Sequence, residues 1–176
     1  MRSDAIRLLK TLPHPCGYFD GRIAQNLVID PLALDLPQVY EAALTRGYRR
    51  AGGHIYRPAC ARCQACVPAR LPVAEFAPDR SQRRCARDNE DLQVSEHPAR
   101  FSEEAFDLYR RYLVGRHPGG GMDDAGREDF SRFLTSPWSP TRFIEFRLGG
   151  RLLALAVTDV TRYGLSSVYT FYDPDE

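Results

Sequence analysis

Apolar residues recur at helical and strand periods in turn along this chain. Leu36, Val39, Tyr40, Ala43 and Leu44 fall at helical spacing, Pro37 suits a first turn and Gly47 can end it, so a helix is predicted from about Pro37 to Arg46. Upstream, Gly17 and Gly21 punctuate a turn, and Asn26-Leu27-Val28-Ile29 reads as a short strand stopped by Asp30-Pro31. His54-Ile55-Tyr56 reads as a strand entering a cysteine-bearing loop. Leu71-Pro72-Val73 is at best a broken strand, because proline cannot donate to a central ladder. Ser81 to about Leu92 is polar and helix-prone, and a boundary is expected near Gln93–Pro98.

Beyond that point Ser102 is a good N-cap, and Phe101 and Phe106 stand at hydrophobic-staple positions. Phe106, Tyr109, Tyr112 and Leu113 carry an apolar helix face to Gly115. His117-Pro118-Gly119-Gly120-Gly121 must be a loop, and a short helix over 124–134 presents Phe130, Phe133 and Leu134 before Pro137 stops it. The tail reads as a three-strand β-meander. Ile144, Phe146 and Leu148 point one way and Glu145 and Arg147 the other, Gly149-Gly150 supplies a two-residue turn, and Leu152–Val160 is an almost continuous apolar strand. Leu165–Tyr172 is the third strand. Helices followed by antiparallel strands predict an α+β layer structure. The two helices can cover one face of the meander and nothing downstream covers the other, so the second domain reads as incomplete, cut short or completed from outside the chain.

Composition changes this picture in two ways. Hydrophobic residues are 43% and aromatic residues 11%, enough to fill a core and against a disordered chain. The net charge of +1 conceals an asymmetry: residues 1–87 hold 14 Lys+Arg against 7 Asp+Glu, and residues 88–176 hold 10 against 16. Between 46 and 87 there are 10 arginines against 2 acids, an electrostatic footprint for nucleic acid or another polyanion. No apolar run approaches the ~20 residues needed to span a bilayer. The first residues lack a signal-peptide core. The expectation is a cytoplasmic chain with no membrane partner.

Candidate chemistry lies in three places. Cys60, Cys63 and Cys66 repeat at a two-residue gap and can converge on one metal, either zinc or an iron–sulfur cluster. A fourth ligand must then come from elsewhere, with Cys16 first and His54, Cys85 or His14 behind it. An odd, clustered set of five cysteines argues against a disulfide framework. Arg80-Ser81-Gln82-Arg83-Arg84 offers planar guanidinium groups to phosphate or carboxylate, and a helix capped by Ser81 adds exposed N–H groups for an anion. The loop His117-Pro118-Gly119-Gly120-Gly121-Met122 permits close approach of a ligand to the backbone but lacks the Lys-Ser/Thr of a P-loop.

Taken in order, these segments resemble one family. Cys16-Gly17-Tyr18, Gly47-Tyr48-Arg49-Arg50, Tyr56-Arg57-Pro58 with Cys60, Cys63 and Cys66, then Ser81-Gln82-Arg83-Arg84, Arg116 to Met122, and Val168-Tyr169-Thr170-Phe171-Tyr172-Asp173-Pro174 are similar to the aminoacyl-tRNA–protein transferases. Within these, the likeness is to the bacterial aspartate/glutamate leucyltransferases related to eukaryotic arginyltransferases. The resemblance implies an N-terminal cysteine-bearing domain over 1–95 and an acetyltransferase-like domain over 96–176, truncated here relative to family members. It implies transfer of leucine, or arginine, from a charged tRNA to proteins that begin with Asp or Glu, in an N-degron route to degradation. It carries a metal-binding role to Cys16, Cys60, Cys63 and Cys66, although Phe19 stands where eukaryotic relatives have a second cysteine. On the same basis Arg57, Arg80, Ser81, Gln82, Arg83, Arg84, Gly119 and Gly120 are expected to bind substrate. Tyr169, Tyr172, Asp173 and His117 are expected at the reaction cleft, with Asp173 at its mouth and His117 as proton acceptor. Two other classes remain: a non-catalytic metal- or tRNA-binding module, and a thiol or cluster redox sensor.

Overall fold

The computed structural model describes residues 6–119 and 125–176. The chain divides into two compact units, one reaching to Ala69 and taking in Pro137–Ser139, the other formed by Arg70–Ser136 and Pro140–Glu176. Both mix helix with antiparallel sheet, the α+β class that the hydrophobic pattern predicts.

In the first unit, strands β1 (Leu8–Lys10), β4 (Asn26–Ile29), β5 (Arg49–Ala51) and β6 (His54–Pro58) form one antiparallel sheet in the order β1-β4-β6-β5. Strands β2 (His14–Pro15) and β3 (Ile23–Ala24) pair as a short ribbon beside Cys16. Helix α1 (Leu36–Leu44) begins one residue before the expected Pro37 and buries Tyr40 and Ala43. Those two join Ile29, Tyr48 and Ile55 in a core of five buried residues. Trp138 packs edge-on against Tyr40 at 5.2 Å between ring centres. Gly47 ends the helix at φ +78, and a Cβ there would lie 2.8 Å from the Pro68 side chain. Two constraints therefore demand glycine: left-handed backbone and the return of the cysteine loop against it.

The second unit contains helix α2 (Arg80–Asp88), strand β7 (Gln93–Pro98), helices α3 (Glu103–Arg116) and α4 (Arg127–Leu134), and strands β8 (Thr141–Leu148), β9 (Arg151–Thr161) and β10 (Gly164–Tyr172). The meander and the Gly149-Gly150 turn are as expected, but the sheet has a fourth strand. Gln93–Pro98, read as a boundary, pairs in register with β8, so the order is β10-β9-β8-β7. Its polar sequence hid it: Val94 is its one large apolar side chain, and an edge strand needs little burial. Leu71–Val73 is not a strand; Val73–Glu75 is a single turn of 3-10 helix. The short helix starts at Arg127 rather than 124.

Helix α3 is capped as its sequence demands. The Ala105 N–H donates to Ser102 Oγ at 3.2 Å, and the Phe101 and Phe106 rings meet at 5.9 Å. On β8 the alternation holds, yet Phe143 is the residue that reaches the core. Glu145 and Arg147 share its parity, and Arg147 bridges Glu145 at 2.8 Å and Glu104 of α3 at 2.6 Å. An apolar-looking stripe therefore faces away from the helices, while a charged network ties helix to sheet. On β9 the buried Asp159 accepts from Thr141 Oγ1 at 2.7 Å, directly across the ladder. The core of this unit has twelve fully packed members, with Phe130 in edge contact with Phe101, Phe106, Tyr109, Phe143 and Phe171.

Candidate functional site

Two Tyr-Arg dipeptides shape the first unit. Tyr48-Arg49 leads into β5 and Tyr56-Arg57 lies on β6, and the antiparallel register sets Arg49 opposite Tyr56. The pairs exchange partners: the Arg49 guanidinium lies 5.2 Å from the Tyr56 ring centre, and that of Arg57 5.0 Å from Tyr48. From the turn before β3, Arg22 lies 4.5 Å over Phe19. These arginines, with Arg46, line one cleft of about 600 Å³. Among the described residues, no Asp or Glu lines it. An adjoining recess of about 360 Å³ is bounded by Tyr18, Phe19, Tyr48 and Val67.

All four expected metal-ligand cysteines, Cys16, Cys60, Cys63 and Cys66, line this cleft, together with Arg57. They do not assemble as ligands. Zinc needs its donors within about 2.3 Å of one point, and among the described residues no three His, Cys, Asp or Glu side chains are grouped to hold a metal. The Cys60 thiol turns toward the Gln25 carbonyl at 3.7 Å, the Cys63 sulfur accepts from Arg22 Nη1 at 3.5 Å, and Cys66 is exposed. The Ala65 N–H and the Arg22 guanidinium hold the Cys63 thiol below its ordinary pKa. Equal spacing suggested convergence, but the chain turns at Ala61–Arg62 and the Cys60 and Cys63 sulfurs take different partners. This arrangement does not fit a zinc ion or an iron–sulfur cluster.

Helix α2 carries Arg80, Ser81, Gln82, Arg83 and Arg84. The expected Ser81 cap is replaced by Asp79, whose carboxylate accepts from the Gln82 N–H while the Gln82 side chain accepts from the Asp79 N–H, each at 2.8 Å. The N-terminal N–H groups thus already have an anion, and Ser81 sits inside the first turn. Arg80, Arg83, Arg84 and Arg87 fall at i, i+3, i+4 and i+7 and form one stripe. Every residue of the helix is exposed, and Arg83 also donates to the Pro78 carbonyl.

A third group surrounds Tyr112 of α3. His117, at the C-cap, has Nε2 3.2 Å from the Tyr112 hydroxyl. The rings of Tyr172 and Tyr169 lie 5.0 and 6.2 Å from that of Tyr112. The register shifts at Val168, and beyond that bulge Tyr169 and Phe171 pack against Tyr109 of α3. Burial pushes the Tyr169 phenol up to about 12 and raises Tyr112 as well, so both hydroxyls stay protonated at neutral pH. Asp173 does not stand at a cleft mouth. It is 2% exposed and bridges Arg111 at 2.7 Å and Arg151 at 3.5 Å. The Arg111 hydrogen bond holds its carboxyl below the usual range, which makes it a poor proton acceptor. Gly119 turns at φ +72, and Gly120 lies outside the described residues.

The sequence reading missed Arg22, Arg46, Arg49 and Tyr112. The repeated Tyr-Arg dipeptide, eight residues apart on paired strands, was the available signal for Arg49. Tyr112 was hidden because its helical spacing is also that of a core residue.

Two family models cover the segments that hold these groups. Residues 14–84 match the family model described as arginine-tRNA-protein transferase, N terminus, and residues 104–176 match the one described as its C terminus. The chain is 55% identical over 180 residues to an aspartate/glutamate leucyltransferase of Stenotrophomonas maltophilia strain R551-3, covering 99% of this chain and 72% of that protein. It is 48% identical over 171 residues to the aspartate/glutamate leucyltransferase of Pseudomonas aeruginosa strain LESB58, covering 97% and 73%. The protein of that name from Xylella fastidiosa strain 9a5c is 49% identical over 178 residues, covering 98% and 70%. Among the described residues, no helix is long and apolar enough to cross a membrane.

Proposed function

The chain belongs to the arginine-tRNA-protein transferase family and is an aminoacyltransferase, and on that premise we propose that it moves leucine from leucyl-tRNA to the N-terminal amine of proteins beginning with Asp or Glu. One observation carries this reading to the residues: a cleft lined by four arginines and no acidic side chain, in a chain whose relatives bear the name aspartate/glutamate leucyltransferase.

The donor ester is already activated. A free α-amine has a pKa near ~7.7–8.0, so a useful fraction is neutral at neutral pH. The amine nitrogen attacks the ester carbonyl carbon, and the bond from that carbon to the terminal ribose oxygen breaks. The amine gives up a proton and the ribose hydroxyl gains one. No covalent enzyme intermediate is required, and alignment alone supplies up to ~7–11 kcal/mol. His117, hydrogen-bonded to Tyr112, is the proposed proton acceptor. Tyr169, protonated at neutral pH, is the proposed donor to the developing oxyanion, and the Tyr112 hydroxyl orients His117. Tyr172 lines the same cluster. The acetyltransferase-like character of this unit is part of the proposal.

Helix α2 is proposed to meet tRNA phosphates. A nine-residue helix that buries no side chain is marginal in water, and like charges at i, i+3 and i+4 repel. Its capping box holds one end, and a polyanion laid along the stripe offsets the repulsion. The reading is tested with labelled leucyl-tRNA and peptides that differ only in their first residue. Label is expected on Asp- and Glu-starting peptides and not on an Ala-starting one. Transfer that ignores the first residue contradicts the assignment.

A further inference from the structure

The arginines of the first-unit cleft share one construction. Arg22, Arg49 and Arg57 each lie over an aromatic ring, Phe19, Tyr56 and Tyr48, at 4.5, 5.2 and 5.0 Å. Stacking fixes the plane of a guanidinium and leaves its N–H edge for a ligand. None of the three has a carboxylate partner among the described residues, and the only side-chain acceptor any of them has is the Cys63 sulfur beside Arg22. The Arg57 edge is held further by the Arg46 carbonyl, 3.4 Å from Nη1. Elsewhere in the unit a comparable arginine is neutralised: Arg7 bridges Asp30 at 2.8 Å. The cleft is therefore an uncompensated set of oriented donors in a volume of about 600 Å³, a size suited to a few residues of peptide.

We propose that Arg22, Arg49 and Arg57 form the specificity subsite that takes the side-chain carboxylate of the acceptor's first residue. This rests on the reading of the chain as an aminoacyltransferase acting on acidic N-termini. A planar carboxylate accepts two parallel N–H bonds from one guanidinium, and a second guanidinium can share its outer lone pairs. An amide of the same shape brings its own N–H groups against those donors, so the site rejects Asn and Gln by leaving cations unpaired. The tRNA 3′ end is the competing occupant. It is disfavoured because the ring faces that bases would stack on are already covered by guanidinium groups.

The test is steady-state transfer of labelled leucine from leucyl-tRNA to two peptides that differ only in starting with Asp or Asn. Wild type is compared with Arg49→Gln, Arg22→Gln and Arg49→Lys. Both positions are exposed, so the folded state survives substitution. Arg49→Gln is expected to raise KM for the Asp peptide about ten- to a hundred-fold, with KM for leucyl-tRNA unchanged and the preference for Asp over Asn reduced by the same factor. Arg49→Lys restores part of the affinity, since lysine keeps the charge but loses the fork. An unchanged Asp-to-Asn preference in both Gln variants overturns the proposal. A raised KM for leucyl-tRNA in place of the peptide also overturns it and gives the cleft to the tRNA end. Fluorescence anisotropy with the two labelled peptides, without tRNA, separates this from the wider reading. If wild type transfers nothing yet binds Asp over Asn, and Arg49→Gln abolishes that difference, the subsite stands and the transferase reading falls. Equal binding of both peptides by wild type removes the subsite whatever the transfer assay gives.

Discussion

The two units weight their aromatic contacts differently. In the second, Phe106, Tyr109, Phe130, Phe143 and Phe171 turn inward and pack edge to face, so that ring contacts build the core. In the first, the core among the described residues is Ile29, Tyr40, Ala43, Tyr48 and Ile55, and three rings lie under arginines: Phe19 and Tyr56 at the wall of the cleft, and Tyr48 from the core itself. Rings that stack on rings contribute to stability. Rings that lie under guanidinium groups orient charge, which the proposed subsite uses for recognition. Substitutions in the two places should therefore fail in different assays.

Phe130→Ala gives the largest expected effect. The ring is fully buried among five others, and its removal is expected to cost about 4 kcal/mol in urea unfolding. A loss under about 1 kcal/mol would mean that the cluster is not the core it looks to be. Next comes Asp173→Asn, expected to cost about 2 kcal/mol by removing a charge-assisted bond to Arg111. The sign with pH follows from the lowered carboxyl pKa. The carboxylate stabilises the fold at neutral pH, that stabilisation is present above the unfolded value near ~3.9, and it is lost as pH falls through the depressed folded value. Wild-type stability should therefore drop more steeply in acid than that of the variant, as read from urea midpoints across the acid range.

Smaller effects belong to the sites. Tyr112→Phe keeps the ring and removes the hydroxyl that meets His117, so kcat is expected to fall about ten-fold with acceptor KM unchanged. A change confined to KM would move Tyr112 out of the chemistry. Tyr56→Leu removes the platform under Arg49, a contact worth about 0.5–1 kcal/mol at an exposed site. Acceptor KM should rise roughly three-fold with little change in unfolding. A stability loss as large as that of Asp173→Asn would show that Tyr56 acts as a core residue and would erase the contrast between the units.

Much of this was legible in the chain, for identifiable reasons. The Ser102 cap and Phe101/Phe106 staple are local, and Gly149-Gly150 between two apolar runs is a strong hairpin signal, so α3 and the meander could be read directly. Strand β7 was not legible because it is a polar edge strand whose existence depends on pairing with β8, more than forty residues on. The Asp79 cap was overlooked because Ser81 offered a competing one two residues later. At the site, a regular cysteine repeat drew attention to sulfur, while orientation depended on a backbone path that spacing does not encode. The crossed Tyr-Arg partners and the bulge at Val168 are products of register, and register is set between strands rather than along one.

Polyanion binding is proposed for the exposed stripe of Arg80, Arg83, Arg84 and Arg87, and single-carboxylate capture for the cleft. The salt dependence of tRNA binding tests that division most directly. Each phosphate neutralised adds about 0.7–0.9 to the slope of log affinity against log salt. Replacing the four α2 arginines with glutamine is expected to make the slope shallower by about three, while Arg22→Gln, Arg49→Gln and Arg57→Gln together leave it unchanged. A slope that flattens in the cleft variant and holds in the α2 variant would contradict the account.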